Sequence, residues 1–323
     1  FFCPKVMRWP TIWCILVLCC LALAEDYSIA ILSDMHIGES DLQIQLANEA
    51  VSSINSKIVS DNIKFVIITG DISNSALPEQ FTQAKEILDQ LEVPYLPILG
   101  NHDVWTYNST WEEPEPTGDI LFAQTFSSTF KSFPYGTLTY PNQTAWDPFL
   151  NITTNCQNWE LNYNGTIFYG LDWNTRWHAI YVLGYLGAMP GCALHDYPGG
   201  TLDWFQKRLE LLKDDTSSQI ITMQHQPYDL PLIVPGFVYA FGEEQKNVIR
   251  NILSRNHPIE QYWGVIAGHM HIWWDSPAFP RQDNWSSFQQ WETCACKRSA
   301  AYTIGDITDG KLVSLTKHYG DGQ

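Results

Sequence analysis

Basic side chains are scarce in this sequence. Lys and Arg together number 18 against 35 Asp and Glu, for a net charge of −17 at neutral pH. Nowhere do they gather into the positive stripe that a phosphate backbone recognises, which argues against a duplex nucleic acid partner. Long apolar runs are lacking too. The one candidate, residues 11 to 23, is shorter than the roughly 20 residues a spanning helix needs, so no stable membrane span is expected. Internal repeats and low-complexity tracts are absent, and 323 residues of ordinary apolar content suffice for one sizeable core.

The short apolar run has a different reading. Lys5 and Arg8 precede it, and it ends in Ala22-Leu23-Ala24 before Glu25 and Asp26, which is the pattern of a signal peptide cleaved after Ala24. Met7-Arg8 is the expected start of that leader, with the first six residues outside the reading frame. Its removal leaves 16 basic against 35 acidic side chains, a net charge of −19. Five Asn-x-Ser/Thr sequons, at Asn108, Asn142, Asn151, Asn164 and Asn284, fit a secreted or lysosome-like destination and a glycosylated surface. Four cysteines remain after residue 24: Cys156, Cys192, Cys294 and Cys296. In an oxidising compartment they suggest two disulfides, with Cys294 and Cys296 each pairing to one of the other two, because a ring closed between them would be strained. A four-thiolate zinc site is the alternative, although Cys-x-Cys is not the usual knuckle spacing.

From residue 27 to 103, β-rich runs alternate with helical periods, which predicts successive βα units. Residues 27 to 33, 65 to 69 and 95 to 99 read as strands, the last near a sheet edge because of its two prolines. Leu42, Leu46, Ala50, Ile54 and Ile58 form one stripe of a helix that Ser40 or Asp41 can cap. Phe81, Ala84, Ile87, Leu88 and Leu91 give a second helix its buried face. Residues 104 to about 165 lack a sustained apolar period and read as an elaborated cap or insertion within one domain spanning 25–323. Beyond it, strands are expected at 166 to 171, 219 to 224 and 262 to 267, with helices opening at Thr201 and around Val248. A closing hairpin turns at Asp309-Gly310.

Five strand ends carry residues able to bind metal: Asp34-Met35-His36, Gly70-Asp71, Gly100-Asn101-His102-Asp103, His225, and Gly268-His269-Met270-His271. In α/β folds the carboxyl ends of strands are where ligands gather. Mixed oxygen and imidazole donors suit zinc, manganese or iron better than calcium. Seven such ligands exceed what one ion needs, so two divalent ions are expected. Taken singly, each residue has a plainer reading: an Asp at a strand end more often caps a turn, a lone His is more often a hydrogen-bonded core residue, and Gly100 and Gly268 are turn formers. The ordered set overrides those readings. His178, His195, His257 and His318 belong to no such set and read as structural.

The set resembles the calcineurin-like metallophosphoesterases, whose signature runs D-x-H, G-D, G-N-H-D/E, a lone His, then G-H-x-H. The resemblance spans Asp34 to His271 and implies an α/β sandwich of two central mixed sheets flanked by helices, built from βαβ units. It implies further that Asp34, His36 and His271 hold one ion, that Asn101, His225 and His269 hold the other, and that Asp71 bridges them. A hydroxide shared by the two ions would then attack a small phosphate ester, with His102 as the non-ligand donor to phosphate or leaving group and Asp103 orienting its ring. Purple acid phosphatases place a Tyr three residues after the bridging Asp, where this chain has Asn74, and their first motif lacks the histidine found here as His36. Acid sphingomyelinase-like enzymes and class III cyclic nucleotide phosphodiesterases are distantly similar. A non-catalytic binding module on the same fold is the competing expectation, disfavoured because the ligand set is complete. Trp105, Trp273 and Trp274 flank the motifs and are candidates to line the pocket.

Overall fold

The computed structural model describes residues 25–104, 117–140, 144–176, 180–182, 185–187, 191–230, 240–256, 259–278 and 288–320. Residues 1–24 (the expected leader), Trp105, His178, His257 and the sequons Asn108, Asn142 and Asn284 lie outside the described residues.

The chain opens as βαβαβ: β1 (Tyr27–Leu32), α1 (Asp41–Lys57), β2 (Ile63–Ile68), α2 (Pro78–Leu88) and β3 (Tyr95–Pro97). Ser40 caps α1, its hydroxyl accepting from the Leu42 N–H at 3.3 Å. Two helices follow, α3 (Asn101–Val104) and α4 (Gly118–Lys131), and then β4 (Thr137–Thr139). A small hairpin of β5 (Ala145–Asp147) and β6 (Ile152–Thr154) precedes β7 (Trp159–Tyr163) and β8 (Thr166–Leu171). After the ribbon β9 (Ile180–Val182) and β10 (Tyr185–Gly187) come α5 (Thr201–Leu211), β11 (Gln219–Gln224), α6 (Glu243–Asn256) and β12 (Tyr262–Ala267). The chain closes with β13 (Trp274–Pro277), β14 (Gln289–Glu292), α7 (Cys296–Ser299) and the hairpin β15 (Tyr302–Thr308) and β16 (Lys311–His318). Asp309 and Gly310 turn that hairpin with φ of 50° and 72°, the left-handed pair that a two-residue turn of matching twist requires.

Two large mixed sheets result. One has the order β16-β15-β1-β2-β3, and the other β13-β14-β12-β11-β8-β7-β4. β1, β2 and β3 run parallel in the first, with β3 at the edge as its prolines require, and β8, β11, β12 and β14 run parallel in the second. The sheets meet face to face through rings such as Phe65 and Phe168, whose centroids lie 5.8 Å apart. Trp159 of β7 reaches across, fully buried, and its indole N–H donates to the Pro97 carbonyl at 3.0 Å. Helices α1, α2 and α4 share the first core with these strands, and α5 and α6 cover the other face of the second sheet through Phe205, Leu209, Ile249 and Leu253.

Part of the stretch expected as a cap from 104 to about 165 packs into the core. Phe122, Phe126 and Phe130 of α4 are buried against α2 and β3, and β4 and β7 extend the second sheet. Their four-residue spacing does make a helical stripe, but it is flanked by Ser, Thr and Gln that hide it from a count of apolar periods. A buried cation fastens this segment. The Arg176 guanidinium meets Asp172 at 2.6 Å and Asp119, at the start of α4, at 3.4 Å. Both carboxylates and the guanidinium are at most 4% exposed.

The expected disulfides are not formed, and Cys156, Cys192, Cys294 and Cys296 are free thiols. Cys156 packs on the Tyr197 hydroxyl, Cys192 borders the outer core of the second sheet, and Cys296, close to Cys294, lies in the core of the first. Oxidising conditions favour a bond only where the fold brings two sulfurs together.

Removing the Arg176 cation would strand two buried carboxylates. Arg176→Met, which keeps most of the side-chain volume, should therefore cost about 3–5 kcal/mol of stability in urea unfolding. A loss below about 1 kcal/mol, the range of exposed pairs, would mean that this ion pair does not fasten α4 to the second sheet.

Candidate metal centre

All five motif segments leave the carboxyl ends of parallel strands, β1, β2 and β3 from one sheet and β11 and β12 from the other. The loops after them bring the seven expected ligands together in two groups. Asp34, His36, Asp71 and His271 form one, and Asp71, His225 and His269 form the other, with ligand atoms in each group within 4.8 Å of one another. Asn101 joins the second, its Oδ1 3.0 Å from His225 Nε2. Asp71 belongs to both: its Oδ2 lies 3.4 Å from His36 Nε2 and 3.2 Å from His225 Nε2.

The direction of the lone pairs tells what such groups can hold. His225 Nδ1 sits 2.8 Å from the Thr69 carbonyl and so must carry the proton of that hydrogen bond. In a neutral ring its Nε2 is then a bare lone pair, facing Asp71 Oδ2, Asn101 Oδ1 and His269 Nδ1, the last at 3.2 Å. Electron-rich atoms converging at these distances repel unless a positive charge stands among them. The same holds around His36, whose Nδ1 faces Asn74 Oδ1 at 3.2 Å while its Nε2 faces His271 Nε2 at 3.3 Å and Asp71. The donor sets therefore fit two adjacent divalent cations, each taking up the lone pairs of one group.

The backbone is bent to achieve this. Asp34, His36, Asp71, His269 and His271 have φ between 48° and 74°, in the left-handed region that residues with side chains avoid. Each such residue costs of order 1–3 kcal/mol, and clusters of them mark functional sites. Two motif glycines prove to be more than turn formers. A β-carbon at Gly100 would overlap the main-chain nitrogen of Asp71, and one at Gly268 would overlap the Ser33 hydroxyl and crowd Asp34, so only glycine lets these loops close on the carboxylates.

Asp103 corrects an expectation. Its carboxylate does not touch the His102 ring but accepts from the N–H groups of Gly100, Ile72 and Ser73 at 2.9, 3.1 and 2.7 Å and from the Ser73 hydroxyl at 2.9 Å. It joins the loop after β2 to the loop after β3. The His102 ring is oriented instead by the Asn74 carbonyl, which accepts from its Nδ1–H at 2.7 Å, while the His102 main-chain N–H donates to Asp71 Oδ1 at 2.8 Å. That ring lies edge-on to His36, with centroids 4.4 Å apart.

Residues 27–273 match the calcineurin-like phosphoesterase family. The chain belongs to that family. It is accordingly a metal-dependent phosphoric ester hydrolase. Among solved structures, a dimetal phosphatase from Danio rerio is similar in fold, with a TM-score of 0.58 at 12% identity over 91% of this chain and 99% of that one. A putative 5'-nucleotidase from Staphylococcus aureus, with a TM-score of 0.50 at 12% identity, covers 92% of this chain, which spans 54% of its length. No curated protein matches the chain by sequence.

Around the phosphoesterase centre, the sequence motifs missed three supports. Ser33 donates to Asp34 Oδ2 at 2.6 Å, the Thr69 carbonyl orients His225, and Asn74 serves both His36 and His102. A main-chain carbonyl leaves no trace in a sequence, and Asn74 is visible there only as the third residue after Asp71. Trp273 packs edge-on against Trp291, centroids 5.4 Å apart, which gives it a packing partner close to the last motif. His195 and His318 are structural as expected: the first bonds the Asn174 carbonyl and Tyr197, and the second stacks on Tyr302.

Charge inside the centre follows from burial and from the two carboxylates. Burial opposes a proton on His225, yet the Asp71 carboxylate, the hydrogen bond to it and Asp34 raise its pKa to about 9. Burial lowers His36 to about 4 and His269 to about 3. Asp34 and Asp71 stay ionised well below the carboxylate range despite burial, held there chiefly by His271 and by His225 respectively.

A proton on His225 thus competes with metal. The folded pKa lies above the ordinary 6.5, so below about 9 an incoming ion must displace that proton, and above it none remains. Affinity at the Asn101, His225 and His269 group should rise by about tenfold per pH unit between pH 7 and 9 and then level off. Calorimetry at pH 7.5 in buffers of different ionisation enthalpy should show about one proton released per chain from this group. Uptake with no proton released would contradict the arrangement.

Proposed function

We propose that the chain hydrolyses small phosphate esters, monoesters or diesters, at a binuclear centre. Asp34, His36 and His271 hold one divalent ion, Asn101, His225 and His269 hold the other, and Asp71 holds both. The observation that carries this reading is the position of Asp71, one carboxylate oxygen standing within 3.4 Å of imidazole nitrogens from both groups. The mixed oxygen and nitrogen donors favour zinc, manganese or iron. When bound, two such ions activate a water molecule and screen the charge of a phosphate for in-line attack.

The side chains supply the rest. Asp34 and Asp71 contribute two negative charges against four positive, so the centre keeps a net attraction for an anionic ester. Tautomers are fixed by hydrogen bonds that leave Nε2 of His36 and His225 turned inward. His102 is only partly buried, and with Nδ1–H given to the Asn74 carbonyl its proton exchange is confined to Nε2. This ring is suited to hydrogen-bond a phosphoryl oxygen or to protonate the departing ester oxygen, a contribution of about 10²- to 10⁴-fold. The acidic surface disfavours polyanions as substrates and leaves small esters. No described helix is long and apolar enough to cross a membrane.

Passage through the secretory pathway belongs to the same proposal. It is supported by the leader-like pattern of residues 1–24 and by two sequons on hairpin turns, one exposed and one half-buried. Asn151 is exposed at the tip of the β5–β6 hairpin, and Asn164 turns the β7–β8 hairpin.

Binding and chemistry separate in two variants. Asp71→Asn should lose most metal and most activity together. His102→Ala should retain both ions while turnover on an alkyl phosphate ester falls by about 10² or more. On p-nitrophenyl phosphate the deficit should shrink, because nitrophenolate departs without a proton. Metal loss in His102→Ala, or an equal deficit on both esters, would end the proton-donor role.

A further inference from the structure

We infer that the Asn74 side chain is a positioning residue for one half of the metal centre, acting through the tautomer of His36. The inference rests on the binuclear reading above and concerns how that centre is built. Asn74 lies in the loop after β2, pinned by its main-chain N–H to the Ile37 carbonyl at 3.0 Å and by the parallel bridge between Ile37 and Ser73. The preceding residues Ile72 and Ser73 are held by the buried Asp103 carboxylate. The side chain therefore projects from a fixed backbone.

Its amide is oriented as well. Nδ2 donates to the Ser75 hydroxyl at 3.4 Å, which turns Oδ1 toward His36 Nδ1 at 3.2 Å. An amide oxygen can only accept, so the proton of a neutral His36 ring resides on Nδ1 and the lone pair on Nε2. That lone pair points at Asp71 and His271, where the ion belongs. Without the amide oxygen the proton is free to reside on Nε2, and an ion must then displace it. Partners of this kind typically carry a factor of about 10 to 100 in metal affinity.

The same residue reaches His102 by a different atom. The contact there is the main-chain carbonyl, 2.7 Å from His102 Nδ1, and a side-chain substitution leaves it in place. Asn74 therefore offers a division that few supporting residues allow. Its side chain serves the Asp34, His36 and His271 ion, its main chain serves the phosphate-facing ring, and the Asn101, His225 and His269 ion depends on neither.

Zinc binding by the metal-free protein tests this, followed by chelator competition with the wild type, Asn74→Leu and Asn74→Asp. Leu matches the shape of Asn without an acceptor, whereas Asp restores the acceptor with a charge. Asn74→Leu should bind one zinc with wild-type affinity and the second about 10- to 100-fold more weakly. Asn74→Asp should bind both at least as tightly as the wild type, which a merely structural role for the amide would not produce. Once both sites are saturated, Asn74→Leu should keep the wild-type ratio of rates on alkyl and nitrophenyl esters, since His102 is undisturbed. Wild-type affinity for both zincs in Asn74→Leu, equal weakening of both, or an Asn74→Asp variant as weak as Leu would overturn the inference. If Leu fails to fold, the Asp comparison alone decides. A wild-type protein that binds fewer than two zincs would overturn the binuclear reading, and this inference with it.

Discussion

Mutual repulsion among lone pairs is the constraint on which the site depends. Imidazole nitrogens and carboxylate oxygens from five loops are brought within hydrogen-bonding distance of one another, yet His225 and His36 already direct their Nδ1 protons outward to the Thr69 carbonyl and the Asn74 amide oxygen. Water would normally keep such atoms apart. Burial removes that option, and only positive charge can hold the group together. Around His225 a proton can stand in for that charge: burial alone would lower its pKa, but Asp71 and Asp34 raise it to about 9.

The strained backbone follows from the same constraint. Five of the expected ligands occupy left-handed φ values because each must turn sharply inward within two to four residues of its strand end. Neighbouring loops must also approach closely enough to touch, which explains why Gly100 and Gly268 have no room for a β-carbon. Rigid sheets sustain these costs. Each motif begins where a buried parallel strand ends, and the interlocking of Trp159 between the sheets and of Asp103 between two loops keeps the strand ends in register. A site of this kind is an energetic burden carried by a large core.

Much of the frame could be read directly from residue order. The βα alternation, the edge position of β3, the cap at Ser40 and the Asp309-Gly310 turn all express local preferences that the fold did not override. The region from 104 to 165 could not be read the same way, since the stripe of Phe122, Phe126 and Phe130 is obscured by the Ser, Thr and Gln around it and its burial is decided by the docking of α4 on α2. Cysteines misled for a related reason. Their even number suggested pairs, but pairing depends on distance, and the fold holds Cys156, Cys192 and Cys296 in different surroundings.

What the sequence by itself determined was the inventory of the site: which metal-capable side chains exist, in what order, and that they follow strand ends. Strand periodicity and motif spacing are properties of the chain and need no partner. What only the tertiary structure decided was how those donors divide and what supports them. The sharing of Asp71, the employment of Asp103 as a link between loops and the double service of Asn74 all arise from loops that meet across two sheets. Hydrogen bonds to main-chain atoms carry most of that arrangement, and main-chain atoms are the same at every position in a sequence, so only their placement in space distinguishes them.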